Sequence, residues 1–297
     1  MFESLVKFFY DLQDQITGAL EQESGSSKFH EDTWTGEGWL AGGGRTRVME
    51  SGTVLERGGV NVSDVHGLLP DDLARNMPGK AREFRAAGIS LVLHPLNPHA
   101  PTVHANFRII SRGKQEDPET IWFGGGADLT PMILYEEDAT HFHSIWKKVC
   151  DRYPSMPYTK LKEDCDRYFY LPHRKEGRGI GGIFYDYVDT APEVMGQFTR
   201  EAGSSFLDAY LPLLKKRSSQ SYTEEDREFQ MWRRGRYVEF NLVYDRGTQF
   251  GLKTGGRIES ILMSLPPIVR YKYDYRPAPG SRYEATMQAL SNPRTWV

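Results

Sequence analysis

Cysteine is scarce in this chain of 297 residues, which contains only Cys150 and Cys165. Two thiols are too few for a disulfide scaffold, and such scarcity is typical of proteins in a reducing compartment. They are also too few to bind an iron–sulfur cluster or a four-cysteine zinc ion. The sequence therefore excludes these two kinds of metal centre and predicts a cytoplasmic location.

The sequence also lacks a strong charge of either sign and a long apolar run. Its net charge of -3 arises from 37 basic and 40 acidic residues, so no long-range attraction for nucleic acid is expected. The sequence contains no stretch of about 18 apolar residues, so no transmembrane helix is predicted. The first residues lack a secretory signal pattern. Leu5, Phe9, Leu12 and Ile16 instead repeat at helical spacing, which predicts an amphipathic helix over residues 1–22.

No internal repeat, low-complexity tract or proline-rich linker divides the sequence, so residues 1–297 are predicted to form a single catalytic domain. Predicted strands outnumber the helices between them, and turn-like segments join several strands. This pattern is typical of the α+β class with a large, mainly antiparallel sheet. Strands are predicted within 34–65 and at 88–94, 101–110, 121–125, 179–188, 236–244 and 258–266. Helices are predicted at 136–153, 160–170 and 193–216, and a shorter one from the capping pattern at Thr223.

The most informative segment runs from His94 to Arg108. Because side chains alternate across a strand, His104, Asn106 and Arg108 would share one face, and the apolar residues between them the other. One face is then a row of hydrogen-bonding groups and the other belongs to the core. A solvated strand face would give the same alternation, although lysine and glutamate are more typical of such a face.

Histidines are concentrated in one part of the chain. Imidazole suits both metal binding and proton transfer near neutral pH. No spacing matches a zinc-protease helix or a zinc finger, and two of the histidines are two positions apart, on different sides of a predicted helix. The pattern leaves open a metal site, proton transfer or substrate binding, and structural roles. The five of the eight histidines that fall within 50 residues are His94, His99, His104, His141 and His143.

Glycines adjoin a charged residue in several places. Gly124, Gly125 and Gly126 precede Asp128. This pattern predicts either that Asp128 caps the following segment or that it is a carboxylate at the rim of a pocket. Further glycines follow Arg178 in the segment that precedes the predicted strand at 179–188. A dinucleotide-binding loop requires a helix at that point. The sequence therefore argues against nucleotide binding and favours a basic surface for carboxylates, or else a solvated run of charges.

A third glycine pair, Gly255 and Gly256, precedes Arg257. Guanidinium groups bind carboxylates through two parallel hydrogen bonds. Three arginines beside glycines or on a polar strand face, namely Arg108, Arg178 and Arg257, therefore predict a substrate that carries several carboxylates.

Four of these segments together resemble the oxygen-dependent coproporphyrinogen III oxidase family: residues 88–108, 122–131, 173–187 and 233–267. The resemblance implies a large, flat antiparallel sheet sandwiched between helices, and a homodimer formed partly through a strand region at 237–272. It implies a reduced tetrapyrrole substrate, coproporphyrinogen III, two of whose propionates are oxidatively decarboxylated to give protoporphyrinogen IX. Dioxygen is the electron acceptor, and no organic cofactor is needed.

The resemblance also implies which residues form the site. His104 matches the proposed proton donor, Asp128 the carboxylate thought to contact pyrrole N–H groups, and Arg108 a further catalytic residue. Bacterial members are described as binding a divalent metal through four histidines, whereas other members are metal-free. Substrate contacts are implied at Ser90, Asn106, Phe107, Arg108, Gly255, Gly256 and Arg257, and Arg178 joins them as a predicted anchor for a propionate. The positions that match the metal ligands are His94, His104, His143 and His173.

The sequence departs from the family pattern at two places. Tyr187 stands where a second acid commonly follows Asp186, and Trp39, Leu40 and Ala41 replace a glycine-rich run. Two alternative functions are a metal-dependent oxygenase for another acidic substrate and a porphyrin carrier without turnover. Metal analysis separates the first alternative, and oxygen consumption separates the second.

Overall fold

The structure, a computed structural model, describes residues 1–76, 79–113, 120–253 and 255–297. Its centre is a seven-stranded antiparallel sheet in the order β1-β2-β3-β4-β5-β6-β9, so that the first six strands form a meander. A two-stranded ribbon joins β7 to β8. The strands are β1 (His30–Thr35), β2 (Leu40–Glu50), β3 (Leu55–Leu68), β4 (Glu83–Pro95), β5 (Thr102–Arg112), β6 (Ile121–Thr130), β7 (Tyr170–Leu171), β8 (Glu176–Gly177) and β9 (Gly182–Val188).

Helices cover both faces of the large sheet. The helices are α1 (Phe2–Glu23), α2 (Asp71–Asn76), α3 (Glu136–Cys150), α4 (Tyr158–Tyr168), α5 (Pro192–Ser204), α6 (Phe206–Ser218), α7 (Glu224–Val243), α8 (Arg246–Lys253), α9 (Ile258–Leu262) and α10 (Arg282–Ser291). The α+β class with a sandwiched antiparallel sheet is thereby confirmed. Among the described ranges, no helix combines the length and the apolar character needed to cross a bilayer.

The first helix and α5 pack on one face of the sheet, called the core face. The side chain of Gln13 fixes α1 there by donating hydrogen bonds to the backbone oxygens of Arg45 and Val60. On β5, Val103 and Phe107 point into this core and are buried. Full burial of one such side chain stabilises a fold by roughly 1.5–3 kcal/mol. The predicted amphipathic helix and the predicted apolar face of β5 are both confirmed.

The opposite face of the sheet, called the site face, carries the alternate residues of β5. His104, Asn106 and Arg108 are half-buried there. The C-terminal half of α7 lies over this face together with α9. Met263, which directly follows α9, packs so closely on Gly59 of β3 that a Cβ built on this glycine would lie 2.6 Å from the methionine sulfur.

The predicted strands at 236–244 and 258–266 are wrong. Residues 236–243 belong to α7, and α9 begins at Ile258. The aromatic and β-branched residues of these segments resemble a strand, but the capping box of Thr223 and Asp226 starts a helix that continues for 20 residues. Every residue from Phe229 to Tyr237 is buried, so this part of the helix is enclosed on all sides. Tertiary packing thus overrides the local preference for a strand, and the region 237–272 contains helices.

Further boundaries also differ from the prediction: the strand predicted at 88–94 is β4, that predicted at 121–125 is β6, and the helix predicted at 136–153 ends at Cys150. The helix predicted at 193–216 is two helices, because the helix is interrupted at Ser205 between α5 and α6. The helix predicted at 160–170 begins earlier, at Tyr158, and ends at Tyr168. The last strand begins at Gly182 rather than at residue 179, after Gly181 with φ +80°.

Candidate active site

The register of the sheet brings the predicted site residues onto one face. Residues directly opposite each other on neighbouring strands point to the same side. Three adjacent rows therefore cross the site face: Gly44, Ser63, Gly88, Arg108 and Gly124; Thr46, Asn61, Ser90, Asn106 and Gly126; and Val48, Gly59, Val92, His104 and Asp128. Of the predicted residues, Ser90, His104, Asn106, Arg108 and Asp128 lie together.

The glycines of these rows make room for larger groups above them. A Cβ built on Gly124 would lie 2.7 and 2.8 Å from two guanidinium nitrogens of Arg108, and 2.8 Å from a carboxylate oxygen of Asp186. Any side chain at this position would therefore displace the ion pair. The glycine run of β6 allows close approach of charged side chains to the sheet.

Asp128 is the most deeply buried acid of the site, with 1% of its surface exposed. Its Oδ1 accepts a hydrogen bond from Nδ1 of His104 at 2.8 Å, and both its oxygens accept from Nη2 of Arg178 at 2.8 and 2.9 Å. Burial alone would raise the pKa of Asp128, but the charge of Arg178 and the hydrogen bond from His104 outweigh it. The pKa lies below its ordinary value, so Asp128 is a carboxylate near neutral pH.

This arrangement does not fit the expected contact between Asp128 and pyrrole N–H groups. Both carboxylate oxygens already accept hydrogen bonds, and the side chain lies beneath its partners. Asp128 instead holds the imidazole of His104.

Arg178 lies in an aromatic box rather than in a cleft. The guanidinium carbon is 4.1 Å from the ring centroid of Phe169, 4.5 Å from that of Tyr237 and 4.8 Å from that of Phe240. Its Nη1 donates a hydrogen bond to Oδ1 of Asn241 at 2.8 Å, and 2% of the residue is exposed. The guanidinium is thus enclosed and paired, which argues against the predicted role of Arg178 as an anchor for a propionate.

His104 is the member of this buried group that reaches the open face. Because a carboxylate only accepts hydrogen bonds, Nδ1 of His104 must carry the proton that Asp128 binds. No residue in the described ranges hydrogen-bonds Nε2, and Phe169 packs edge-on against the ring at 5.6 Å. Nε2 of His104 is thus available to accept a proton from, or return one to, a bound molecule.

Arg108 points over the sheet near two acceptors. It donates to Oδ1 of Asn106 at 2.9 Å and to Oδ1 of Asp186 at 2.6 Å. The other oxygen of Asp186 lies 3.4 Å from Nη2 of Arg246, at the start of α8. Asp186 therefore holds two arginines beside the same open surface.

Sequence reasoning missed Asp186 and Arg246 as members of the site. Asp186 is the single charged residue of β9, which was a usable signal. Arg246 follows Asp245, which accepts a hydrogen bond from the hydroxyl of Tyr168 at 2.9 Å. The wrongly predicted strand at 236–244 placed Arg246 in a turn and concealed its position at the start of a helix over the sheet.

Arg257 lies over the site face near β1, at the other edge of the sheet from Asp186 on β9. It precedes α9 and forms an ion pair with Asp32 of β1. Gly255 and Gly256 form the turn before it, where Gly255 has φ +72° in the left-handed region that favours glycine. A Cβ on Gly255 would meet open space, so this glycine serves the backbone turn.

Phe107 does not belong to this face. Its side chain is 1% exposed and lies in the core on the other side of the sheet. Alternation along β5 turns this side chain away from its neighbours on the site face. The predicted substrate contact of Phe107 stays a prediction, and only its backbone lies near that face.

The four histidines matched to metal ligands occupy four separate environments. His94 is fully buried, with Nε2 bonded to the backbone oxygen of Ser264 at 2.9 Å, and burial lowers its pKa to about 3. His143 is bonded to the hydroxyl of Tyr158 and the backbone oxygen of Ile180, and burial lowers its pKa to about 3 as well.

His173 lies at the surface, bonded to Glu239 and Tyr244, while His104 is bonded to Asp128. Within the part of the chain that the structure describes, no group of three or more His, Cys, Asp or Glu side chains is placed to bind a metal ion. The predicted set of four ligands is thus not assembled, and these residues do not fit a shared divalent metal.

The fold and the site define an α+β protein whose open sheet face carries a histidine and several arginines. Comparison with known proteins identifies the family. The sequence profile of the family described as coproporphyrinogen III oxidase matches residues 4–296. The chain therefore belongs to the coproporphyrinogen III oxidase family.

Two plant relatives support this membership. The chain is 46% identical to the oxygen-dependent coproporphyrinogen-III oxidase, chloroplastic, of Glycine max over 308 aligned residues, which cover 100% of this chain and 79% of the relative. It is 46% identical to the coproporphyrinogen-III oxidase 1, chloroplastic, of Arabidopsis thaliana, over 100% of this chain and 78% of the relative.

Proposed function

We propose that this chain catalyses the oxygen-dependent oxidative decarboxylation of two propionates of coproporphyrinogen III, which gives protoporphyrinogen IX for haem synthesis. The observation that carries the proposal is the hydrogen-bonded group of His104, Asp128 and Arg178 beneath an open face beside Arg108. Membership of the coproporphyrinogen III oxidase family supports the same reaction.

The reaction consumes a proton each time a propionate reacts. One propionate, one dioxygen and one proton give one vinyl group, one carbon dioxide and one hydrogen peroxide. A C–H bond and the bond to the carboxylate break, and two electrons pass to dioxygen. A group that delivers a proton at the sheet face is therefore needed, and Nε2 of His104 has the position for it.

Asp128 and Arg178 act on this step through His104. The carboxylate fixes the tautomer and the direction of the imidazole, as the acid of a catalytic triad does. Arg178 in turn holds Asp128 in its charged form. We therefore assign His104 as the catalytic residue of this group, and Asp128 and Arg178 as positioning residues.

Ser90 and Asn106 provide neutral polar groups beside His104. They face each other across β4 and β5, and both are half-buried on the site face. A hydroxyl and an amide are suited to hydrogen-bond pyrrole N–H groups without fixing a charge in the floor of the site.

Arg108 and Arg257 remain as the proposed anchors for propionates. Arg108 lies on β5, and Arg257 is held by Asp32 on β1, four strands away in the sheet. At roughly 4.8 Å between neighbouring strands, this spans about 19 Å. Such a separation suits a broad substrate that carries carboxylates at its periphery.

We further propose that the protein is a homodimer. Several large apolar side chains are exposed in the helical region that replaces the predicted strands, and a concentration of this kind in one region is typical of an interaction surface. They include Leu242, Val243, Phe250, Leu252, Ile258 and Ile268. Sedimentation of the full chain at several concentrations tests the proposal. The expected cytoplasmic location stays a prediction, since the two plant relatives are named chloroplastic.

Incubation of coproporphyrinogen III with and without oxygen tests the function. We expect vinyl product, carbon dioxide and peroxide only with oxygen, and their loss in His104→Ala. Binding of the tetrapyrrole without oxygen consumption would instead identify a carrier. Turnover that disappears on chelation and returns with a metal would favour a metal-dependent oxygenase.

A further inference from the structure

Two arginines of the site that are proposed as anchors, Arg257 and Arg108, already bind a carboxylate of the protein itself. Arg257 pairs with Asp32, and these side chains are 36% and 38% exposed. Arg108 pairs with Asp186, and these side chains are 30% and 13% exposed. The positions proposed for substrate carboxylates are therefore occupied in the free protein.

In the Arg257–Asp32 pair, the carboxylate of Asp32 lies close to the expected position of the ligand. Asp32 is directly opposite Thr46 on β2, and Thr46 begins the row that continues to Asn61, Ser90 and Asn106. The carboxylate therefore belongs to the row of polar groups that forms the floor of the site.

A second contact keeps Arg257 over the sheet whether or not Asp32 holds it. The hydroxyl of Ser260 on α9 lies 2.6 Å from that of Thr46. Met263 is packed against Gly59 at the end of the same helix. Release of the ion pair therefore frees the guanidinium without requiring α9 to leave the sheet.

We propose that Asp32 and Asp186 are exchangeable counter-ions: each pairs with an arginine of the site in the free protein and releases it to a carboxylate of the substrate. The proposal rests on the proposed function, because it takes Arg108 and Arg257 as anchors. It adds the two residues that compete with the substrate for those anchors.

Solvent exposure makes such an exchange inexpensive for Asp32 and Arg257, both of which are more than a third exposed. An exposed ion pair contributes little to stability, since water and salt screen it. A substrate carboxylate that replaces Asp32 forms an equivalent pair, and Asp32 returns to water. The buried Asp128–Arg178 pair has no such alternative, because its separation would leave a charge without water.

The exchange also links chemistry to release of the product. When a propionate leaves as carbon dioxide, the substrate loses the negative charge that held the arginine. The internal aspartate then regains its partner. Loss of charge at the reacting group therefore weakens binding of the product at that position.

Binding of oxidised coproporphyrin III, which carries the same four carboxylates but cannot react, tests the proposal by fluorescence titration. Asp32→Asn should lower its Kd about two- to fivefold, the range expected for an exposed ion pair. Asp186→Asn should act in the same direction. Asp32→Glu, which keeps a counter-ion, should leave the Kd close to that of the unmodified chain.

Arg257→Gln separates exchange from a general effect of charge. We expect it to raise the Kd, and Asp32→Asn should improve binding less in this background than in the unmodified chain. An equal improvement in both backgrounds, or weaker binding in Asp32→Asn, would overturn the proposal. The matched control is Asp151→Asn, which removes one acid from an exposed pair with Lys147 on α3 and should leave the Kd unchanged.

The two proposals fail in different ways. If Arg257→Gln leaves the Kd unchanged, Arg257 is not an anchor and exchange at Asp32 is refuted, while oxygen-dependent turnover still stands. If no variant and no unmodified chain forms vinyl product, the proposed function fails irrespective of the titrations.

Discussion

The two arginine–aspartate pairs beside β5 and β6 differ chiefly in their access to water. Asp128 and Arg178 are almost fully enclosed, with three hydrogen bonds from nitrogens to the carboxylate and three aromatic rings around the guanidinium. Asp186 and Arg108 meet at the open face through one short hydrogen bond. The enclosed pair can hold a third group in a fixed direction, whereas the open pair can change partners.

The same contrast explains why similar residues are suited to different tasks. Removing a charge from water costs several kcal/mol, and a buried pair recovers this only while both partners are present. An exposed pair gains little and loses little when it separates. Proton transfer, which needs a fixed imidazole, is therefore suited to His104 above Asp128. Reversible binding of a substrate carboxylate is suited to Arg108.

The largest effect is expected from Arg178→Ala. This change leaves the carboxylate of Asp128 buried without its cation, so the free energy of unfolding should fall by about 3–5 kcal/mol. Urea denaturation followed by circular dichroism measures it, and turnover should fall as well.

A second buried pair serves as the control. Asp138 and Arg217 join α3 to α6 away from the site, through hydrogen bonds of 2.7 and 2.8 Å. Arg217→Ala should destabilise the fold by a comparable amount, while the protein that remains folded keeps its kcat. Equal loss of kcat in both variants would show that Arg178 has no special relation to the chemistry.

Asp128→Asn should affect turnover next most strongly. An amide holds the imidazole of His104 in the wrong tautomer or direction, so kcat should fall by about 10²–10⁴-fold. Single-turnover measurements under saturating substrate give this value without the contribution of binding. A variant with nearly normal kcat would remove the group around His104 from the mechanism.

Arg108→Ala tests the more exposed of the two pairs. Loss of a charge-assisted hydrogen bond of about 1.5–3 kcal/mol should raise KM roughly 10- to 100-fold. If this binding is the same in the ground state and the transition state, kcat changes little. A fall in kcat at unchanged KM would instead place Arg108 in the chemical step.

The smallest effect concerns pH and the buried histidines. The pKa of His143 is about 3 in the folded chain, below its ordinary value of 6.5, so only the unfolded chain gains a proton between these values. His143 therefore contributes stability above about pH 6.5 that is lost as the pH falls, by about 1.4 kcal/mol per pH unit.

Urea denaturation at pH 6 and pH 5 measures this slope. His143→Gln should be less stable at neutral pH but should lose less stability between the two values. Ser144→Ala, a change on the same helix at a partly exposed position that carries no titrating group, should keep the original slope. An unchanged slope in His143→Gln would contradict a neutral, buried imidazole.

Much of the site floor could be predicted from sequence because it depends on strand alternation. Polar and apolar residues alternate from Thr102 to Ile109, and this alone placed His104, Asn106 and Arg108 on one face. The neighbouring strands follow directly in the chain, so their register continues the same pattern.

The enclosing parts of the site were beyond such reasoning. Whether Arg178 is an exposed anchor or a buried cation depends on Phe169 and, above all, on Tyr237 and Phe240, which come from a distant segment. The helix α7 was concealed by residues with a local preference for strands. The clustered histidines were misleading for a related reason, since closeness in sequence did not bring their side chains together.

The meander also has a consequence for the order of assembly. His104 and Asp128 are 24 positions apart on neighbouring strands, whereas Arg178 is 50 positions from Asp128 and 63 from Asn241. Contacts between nearby segments form with less loss of chain entropy than distant ones. During synthesis, the strands that carry His104 and Asp128 can therefore pair before α7, which lies over them, has been made. The complete site forms only when the last third of the chain is present.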